Sequence, residues 1–485
     1  PYAARAAHPQ ITGPMSALCL VAALAAEGLA VGAHRPAALG HPGNPYAVRS
    51  SRVARSAAVM EPTEEMDKRS LRRRIMSTDK FYRGNRPFDK DVHTKVASEM
   101  VDKFKGALIE QMRSNTFEVT RGEGDEAVTF VLAKEYGFCW GVERSIEIAW
   151  AAREQFPDRK MHLTNELIHN PQVNDMFSDM NVGYIEKSES GKRFDRVEDG
   201  DVVILPAFGA SLEEMQLLDS KNVEVVDTTC PWVAKVWNTV DKHVKREMTS
   251  VVHGKWAHEE SVATASMASH YIIVKDIEEA AMVCKYMLGE KDALSKEAFL
   301  DHFKNAISEG FDPDVHLRKL GLANQTTMYK KETSAISKLF EKTMIQKYGP
   351  QDAAESYAAF DTICDATQVR QDAIQDMCDD AKVNKPLDLI LVVGGWDSSN
   401  TGHLLEIPLH EGFTAYHINA PDCVKADNSI VHRTLSGDIE TTADFLPVGR
   451  PVRIGVTSGA STPDSSVEDV LERVLMLRKL SKVPA

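Results

Sequence analysis

From Val128 onward, short β-rich runs alternate with stretches of helical periodicity, and this alternation constrains the fold more than any other feature. It specifies α/β layers with mainly parallel strands. The strand runs are Val128–Leu132, 201–205, 223–226, Thr249–His253, Tyr271–Val274, 387–393 and 453–456. Several enter polar or glycine-rich loops directly: Pro-Ala-Phe-Gly-Ala-Ser at 206–211, His-Gly-Lys-Trp-Ala-His-Glu-Glu at 253–260, Gly-Gly-Trp-Asp-Ser-Ser-Asn-Thr at 394–401 and Thr-Ser-Gly-Ala-Ser-Thr-Pro at 457–463. In open α/β sheets, such strand-end loops are where ligands bind. The last two crowd hydroxyls, an amide and free backbone N–H groups beside a helix start, which suits an uncharged cradle for phosphate. No GxGxxG follows a strand and no Walker A loop occurs, so nicotinamide and P-loop chemistry lack support.

Three of the seven cysteines share one local design. Cys139 lies in Tyr-Gly-Phe-Cys-Trp-Gly-Val-Glu-Arg (136–144), Cys230 closes Val-Asp-Thr-Thr-Cys (226–230) before Pro231, and Cys364 lies in Thr-Ile-Cys-Asp-Ala-Thr-Gln (362–368). Each stands just before a helical stretch, where free N–H groups and the helix dipole favour thiolate. Three such thiolates from separate α/β units suit either Zn²⁺ or an iron–sulfur cluster. A cubane cluster held by only three leaves one iron free to act as a Lewis acid. Cys19, Cys284, Cys378 and Cys423 lack the motif; the odd total and the absence of CxxC argue against a disulfide framework. Two further groups carry proton chemistry. His169 ends Leu-Ile-His, and His253, His258, Glu259 and Glu260 fall within eight residues. Of these, His258 and Glu260 stand out; a carboxylate in a dry site holds its proton to higher pH. Asn-Gln-Thr-Thr at 324–327 offers hydrogen bonds to a hydroxyl.

The net charge of −14 over 485 residues is uneven. Residues 1–60 hold five arginines and one acid, Glu27, a net +4 that leaves −18 on the rest. The acidic body argues against nucleic-acid binding and against docking on an anionic membrane. Residues 1–60 read as a targeting leader: an apolar run at 16–26, then a basic, acid-poor Ser/Ala stretch. Met15 is a candidate start, and the leader is either a plain transit peptide or a bipartite one. Residues 61–127 form an extension with a solvated or leader-like basic run at 68–74 and a helix over 92–113. The units that follow are expected at 128–229, at 230–363 with an insertion near 285–314, and at 364–457. A terminal loop and helix, 458–485, is expected to pack back on the first unit. No membrane span is read.

These stretches, with Asn-Glu-Leu-Ile-His-Asn-Pro at 165–171, resemble 4-hydroxy-3-methylbut-2-enyl diphosphate reductases, most closely the plastid type, over residues 65 to 480. The resemblance implies a trefoil of three pseudo-symmetric α/β domains around a central [4Fe-4S] cluster ligated by Cys139, Cys230 and Cys364. It implies reductive removal of an allylic hydroxyl, placed on the unligated iron, to give isopentenyl and dimethylallyl diphosphate. Glu260 matches the family's proton-delivering glutamate. Thr326, with Thr327 beside it, matches a threonine near the hydroxyl. His169, His258, Ser398, Ser399, Asn400 and Ser461 match its diphosphate-binding set, and His258 also stands beside the proton donor. The implied electron donor is ferredoxin, since the chain offers no flavin or nicotinamide site, and the implied location is the plastid stroma. One departure is Phe208, which holds the place of a histidine of bacterial members; Lys255 and Trp256 also differ from the bacterial loop.

Overall fold

Three sheets organise the chain. A computed structural model describes residues 67–84, 88–188, 191–360 and 362–480. The expected leader lies outside them. The first sheet has five parallel strands in the order Phe81–Arg83, Glu224–Asp227, Val202–Leu205, Met161–Leu163, Val182–Tyr184. The second has four: Tyr271–Val274, Thr249–His253, Leu320–Asn324, Tyr357–Ala359, again parallel. In the third, Ala415–Ile418, Leu389–Val393, Val452–Ser458 and Val128–Leu132 run parallel. Antiparallel Glu118–Arg121 edges it on one side and the hairpin Ile430–Arg433/Ile439–Thr442 on the other. Central strands such as Val202–Leu205 and Leu389–Val393 are buried at every residue. This is why they read as unbroken apolar runs rather than as alternation: parallel sheets are covered on both faces.

Each of the three cysteines marks where the chain leaves one sheet for another. Val128–Leu132 belongs to the third sheet, but the helix after Cys139, Trp140–Gln155, packs through Ile146, Ile148 and Ala149 on Met161 and Leu163 of the first. Glu224–Asp227 belongs to the first sheet, and the helix after Cys230, Pro231–Lys245, reaches Thr249–His253 and Leu320–Asn324 of the second. Tyr357–Ala359 belongs to the second, and the helix after Cys364, Asp365–Val383, packs through Ile374 and Cys378 on Ile390 and Val392 of the third.

This routing corrects four expectations. Val128–Leu132 does not open the first unit; it pairs in register with Val452–Ser458, so the sheet changes at Cys139. The terminal helix Asp464–Leu480 packs Val467, Val470, Leu471 and Val474 into the core of the third sheet, not the first. The single helix expected over 92–113 is two, Lys90–Phe104 and Ala107–Ser114. The break falls at Gly106, where a Cβ would lie 2.5 Å from Glu468 Oε2; that carboxylate accepts the Leu108 N–H at 2.8 Å, capping the second helix from the terminal one. The basic run at 68–74 is not merely solvated. It lies in a helix, Lys68–Met76, whose Arg72 is buried over the Trp237 ring and paired with Asp241 at 2.7 Å. The insertion is structural: Phe299, Phe303 and Phe311 fill the core of the second sheet.

Candidate active site

Eight parallel strands deliver the site. Cys139, His169, Cys230, the His258–Glu260 pair, Thr326–Thr327, Cys364, Ser398–Asn400 and Ser461 each lie in the loop, or the first helical turn after it, beyond the carboxyl end of a strand of the three sheets. All twelve residues expected from the sequence line one cavity of about 110 Å³. Residues up to 322 positions apart in the chain thus meet, as strand-end loops facing one centre must.

The three thiols converge there. Cys139, Cys230 and Cys364 are the N-caps of their helices and are free thiols. A Cβ on Gly141 would lie 2.5 Å from Cys230 Sγ and 3.9 Å from Cys139 Sγ, so glycine alone admits both sulfurs. Burial pushes the Cys230 thiol up to about 12; N–H groups of Trp232 and Val233 work against that shift, and the neighbouring Cys139 and Cys364 add to it. Cys364 is raised for the same reason, opposed by N–H groups of Thr367 and Ala366. Thiols that repel one another as thiolates, supplied with helix N–H donors, suit a cationic metal centre that displaces their protons. The donor set therefore fits a cluster bound by three cysteines.

Glu260 is 3 % exposed. Its Oε1 accepts the Thr326 N–H at 2.6 Å and its Oε2 the Thr326 hydroxyl at 2.9 Å. Burial lifts its pKa to about 7, against the opposing effect of those two bonds and of His169. A carboxyl poised there can release a proton near neutrality. The loop carrying Thr326 is fixed by Gln325, fully buried, whose Oε1 accepts from Lys255 N–H at 3.1 Å and Ser261 hydroxyl at 3.2 Å, while its Nε2 donates to Thr327 Oγ1 at 2.8 Å.

The other side of the cavity is rich in unspent polar groups. Ser399 Oγ, Asn400 Nδ2 and His169 Nε2 are buried without partners. Other buried polar atoms also lack partners, but these three line one cavity and together offer hydrogen bonds suited to an oxygen-rich ligand. Their positions are held from behind. His169 Nδ1 meets Glu166 at 3.1 Å, Ser461 Oγ donates to the His169 carbonyl at 3.2 Å, and Asn400 Oδ1 accepts the Ala460 N–H at 2.9 Å. Ser398 caps the helix Ser399–His410 through Thr401 N–H. A Cβ on Gly395 would lie 2.2 Å from the His169 carbonyl oxygen, so this loop presses on the His169 loop only because residue 395 is glycine. Phe208 stacks on His169 at 4.6 Å and 18°, covering with carbon the ring that presents the free Nε2. Burial holds His258 down to about 3, hence neutral. Its Nδ1 accepts the Glu260 N–H at 3.1 Å, leaving Nε2 as a donor. His169, His258 and Glu259 bring ligand atoms within 4.8 Å of one another. Because His258 Nδ1 is already occupied, this group favours hydrogen bonding to an anion over metal ligation.

The motifs drew attention to the twelve lining residues. Gly141, Gly395 and Gln325 stand inside those motifs, but their packing roles cannot be read there, because a close approach across three sheets leaves no local signal beyond a glycine or a glutamine.

Comparison with known proteins agrees with this geometry. The family model described as LytB protein matches residues 130–475. Similar curated proteins are the 4-hydroxy-3-methylbut-2-enyl diphosphate reductases of Picosynechococcus sp. and Crocosphaera subtropica. Each is 48 % identical over 409 residues, covering 84 % of this chain and 97 % and 98 % of those proteins. Among solved structures, the E-1-hydroxy-2-methyl-but-2-enyl-4-diphosphate reductase of Plasmodium falciparum shares the fold, with TM-score 0.50 and 21 % identity over 71 % of this chain and 86 % of that one. The strand-end cavity, its converging thiols and these likenesses together establish that the chain belongs to the LytB family, alongside curated 4-hydroxy-3-methylbut-2-enyl diphosphate reductases.

Proposed function

We infer that the chain reduces 4-hydroxy-3-methylbut-2-enyl diphosphate to isopentenyl and dimethylallyl diphosphate, the terminal step of the non-mevalonate isoprenoid pathway, with a [4Fe-4S] cluster held by Cys139, Cys230 and Cys364. The observation that carries this reading is the proximity, in one cavity, of three free thiols, a buried carboxyl poised near neutrality and a set of unpaired buried polar groups. In the net reaction the allylic C–O bond breaks and oxygen leaves as water. Two electrons and two protons enter, and a C–H bond replaces the C–O bond. When bound, the cluster supplies single electrons and an iron without a protein ligand.

The chain's own residues do the rest. His169 Nε2, the His258 imidazole, Ser398, Ser399, Asn400 and Ser461 take the diphosphate. The Thr326 and Thr327 hydroxyls face the substrate hydroxyl, and Glu260 supplies the proton through the atom it shares with Thr326. Around Cys230, Ala207, Phe208 and Val233 exclude water, which strengthens each polar contact inside. Electrons arrive from a small one-electron carrier of the ferredoxin class. The basic, acid-poor first 60 residues and the cyanobacterial relatives support a plastid location. No helix among the described residues is long and apolar enough to cross a membrane.

The test is anaerobic turnover of the allylic diphosphate with a reduced one-electron donor, for wild type and Glu260→Gln, alongside iron and sulfide content. Wild type turns over, Glu260→Gln keeps its cluster and loses 10²- to 10⁴-fold in rate, the range for a positioned general acid. Cys230→Ser loses iron and colour. Equal turnover by wild type and Glu260→Gln would remove Glu260 from the proton role.

A further inference from the structure

Arg370 is a buried cation without a counter-ion. It lies on the second turn of the helix that follows Cys364 and is 4 % exposed. Its Nη1 donates to the Ala366 carbonyl at 2.7 Å, and its Nη2 to the carbonyls of Gly137 at 2.7 Å and Tyr136 at 3.3 Å; Nε has no partner. Among the described residues, no carboxylate lies within salt-bridge distance of it. The charges that act on it most are, in order, those of Cys139, Glu135, Cys364 and Glu143. A guanidinium stays protonated at any working pH, so the protein cannot relieve this burial by releasing a proton. Taking such a charge out of water costs several kcal/mol unless an anion answers it.

Its position lies between two of the thiol-bearing segments. Arg370 reaches from the Cys364 helix, on the third sheet, to the loop two residues before Cys139. It therefore ties together two of the three ligand segments, and its charge acts on both Cys139 and Cys364. We propose that Arg370 is a positioning residue whose counter-ion is the thiolate-ligated cluster, and whose charge raises the reduction potential of that cluster. The inference rests on the cluster reading given above. The physical ground is that net charge and hydrogen bonding around a cluster set its potential, and a fixed cation favours the more negative, reduced state.

The experiment is potentiometric titration of anaerobically reconstituted wild type, Arg370→Gln, Arg370→Met and Arg370→Lys, with iron and sulfide measured on each sample. Where wild type is half reduced, the reduced-to-oxidised ratio of Arg370→Gln and Arg370→Met falls at least ten-fold, which is 59 mV for one electron. Arg370→Lys, which keeps the charge and loses the fork, stays within about threefold of wild type by the same relation. A purely structural clamp would lower iron content in all three variants and leave the potential unmoved, and that result overturns the proposal. If both neutral variants lose the cluster, urea unfolding of the cluster-free chains decides. Without its anion Arg370 is a burden, so cluster-free Arg370→Met is at least as stable as cluster-free wild type; a less stable variant overturns the proposal. Iron and sulfide missing from wild type would sink the cluster reading itself, whereas a wild-type cluster with unshifted variants sinks only the role of Arg370.

Discussion

Replacing Gly141 by alanine tests the convergence of the thiols with a single methyl group. The added Cβ would stand 2.5 Å from Cys230 Sγ, against an optimal separation of about 3.5–4.0 Å for non-bonded heavy atoms. One ligand or the helix carrying it must therefore move by about 1 Å. Overpacking of this kind costs about 1–3 kcal/mol. Alanine returns up to about 1 kcal/mol through helix propensity, and less here because Gly141 is only the second residue of its helix. Global stability thus falls by less than about 3 kcal/mol, and the chain still folds. A metal site tolerates ligand displacements of only about 0.2 Å, so the same movement removes the site's ability to hold iron. The assay is anaerobic reconstitution followed by iron, sulfide and visible absorbance, with urea unfolding on the same preparation. The expected result is a near-native unfolding midpoint and at least a ten-fold loss of bound iron. Gly402→Ala is the control, since its Cβ would meet nothing within 4 Å and alanine in that helix is neutral or slightly stabilising. A Gly141→Ala protein with full iron and sulfide would refute the claim that Cys139 and Cys230 meet at residue 141.

Turnover should fall as pH rises through about 7, because Glu260 donates only while protonated and burial places its pKa there; a pH–rate profile that rises across pH 6–8 contradicts the assignment. Ser399→Ala should raise KM at least ten-fold with little effect on thermal unfolding, since Ser399 Oγ has no partner to lose; steady-state kinetics and calorimetry check the split. Acid should destabilise the body through His417 and His243, each held down to about 4 by burial. Their neutral forms contribute stability that is complete above the unfolded value of about 6.5 and is lost as pH falls from there toward 4. The slope from each is about 1.4 kcal/mol per pH unit, read from urea unfolding between pH 7.5 and 4.5, and His417→Gln should lower the total slope by that one contribution.

What could be read in the sequence followed from local chemistry. Apolar runs gave Val128–Leu132, Thr249–His253 and Tyr271–Val274 at their observed limits, and each polar loop betrayed itself by crowding hydroxyls after a strand. Sheet membership could not be read that way. Val128–Leu132 carries no mark that its partner is Val452–Ser458, over 300 residues later, because the alternation that makes it a strand is the same whichever neighbour it takes. Arg370 was invisible for a related reason. An arginine on a helix is usually solvated, and only the loop before Cys139, folded back over it, turns it into a buried charge.

The transfer of the chain between sheets at each cysteine governs the order in which the molecule is finished. The third sheet needs Val128–Leu132 between Glu118–Arg121 and Val452–Ser458, and the Cys139 N–H needs the Ala460 carbonyl at 3.1 Å. On the ribosome, the first ligand loop therefore emerges more than three hundred residues before the segment that holds it in place. Until that segment arrives, Val128–Leu132 has an unpaired edge and Cys139 no fixed position, the kind of long-range pairing that folds late and exposes sticky surface meanwhile. Loading the centre thus belongs after synthesis is complete: the last strand acts as the closing clasp of a ring, and a chain cut before residue 452 would have all three thiols and no place to hold them together.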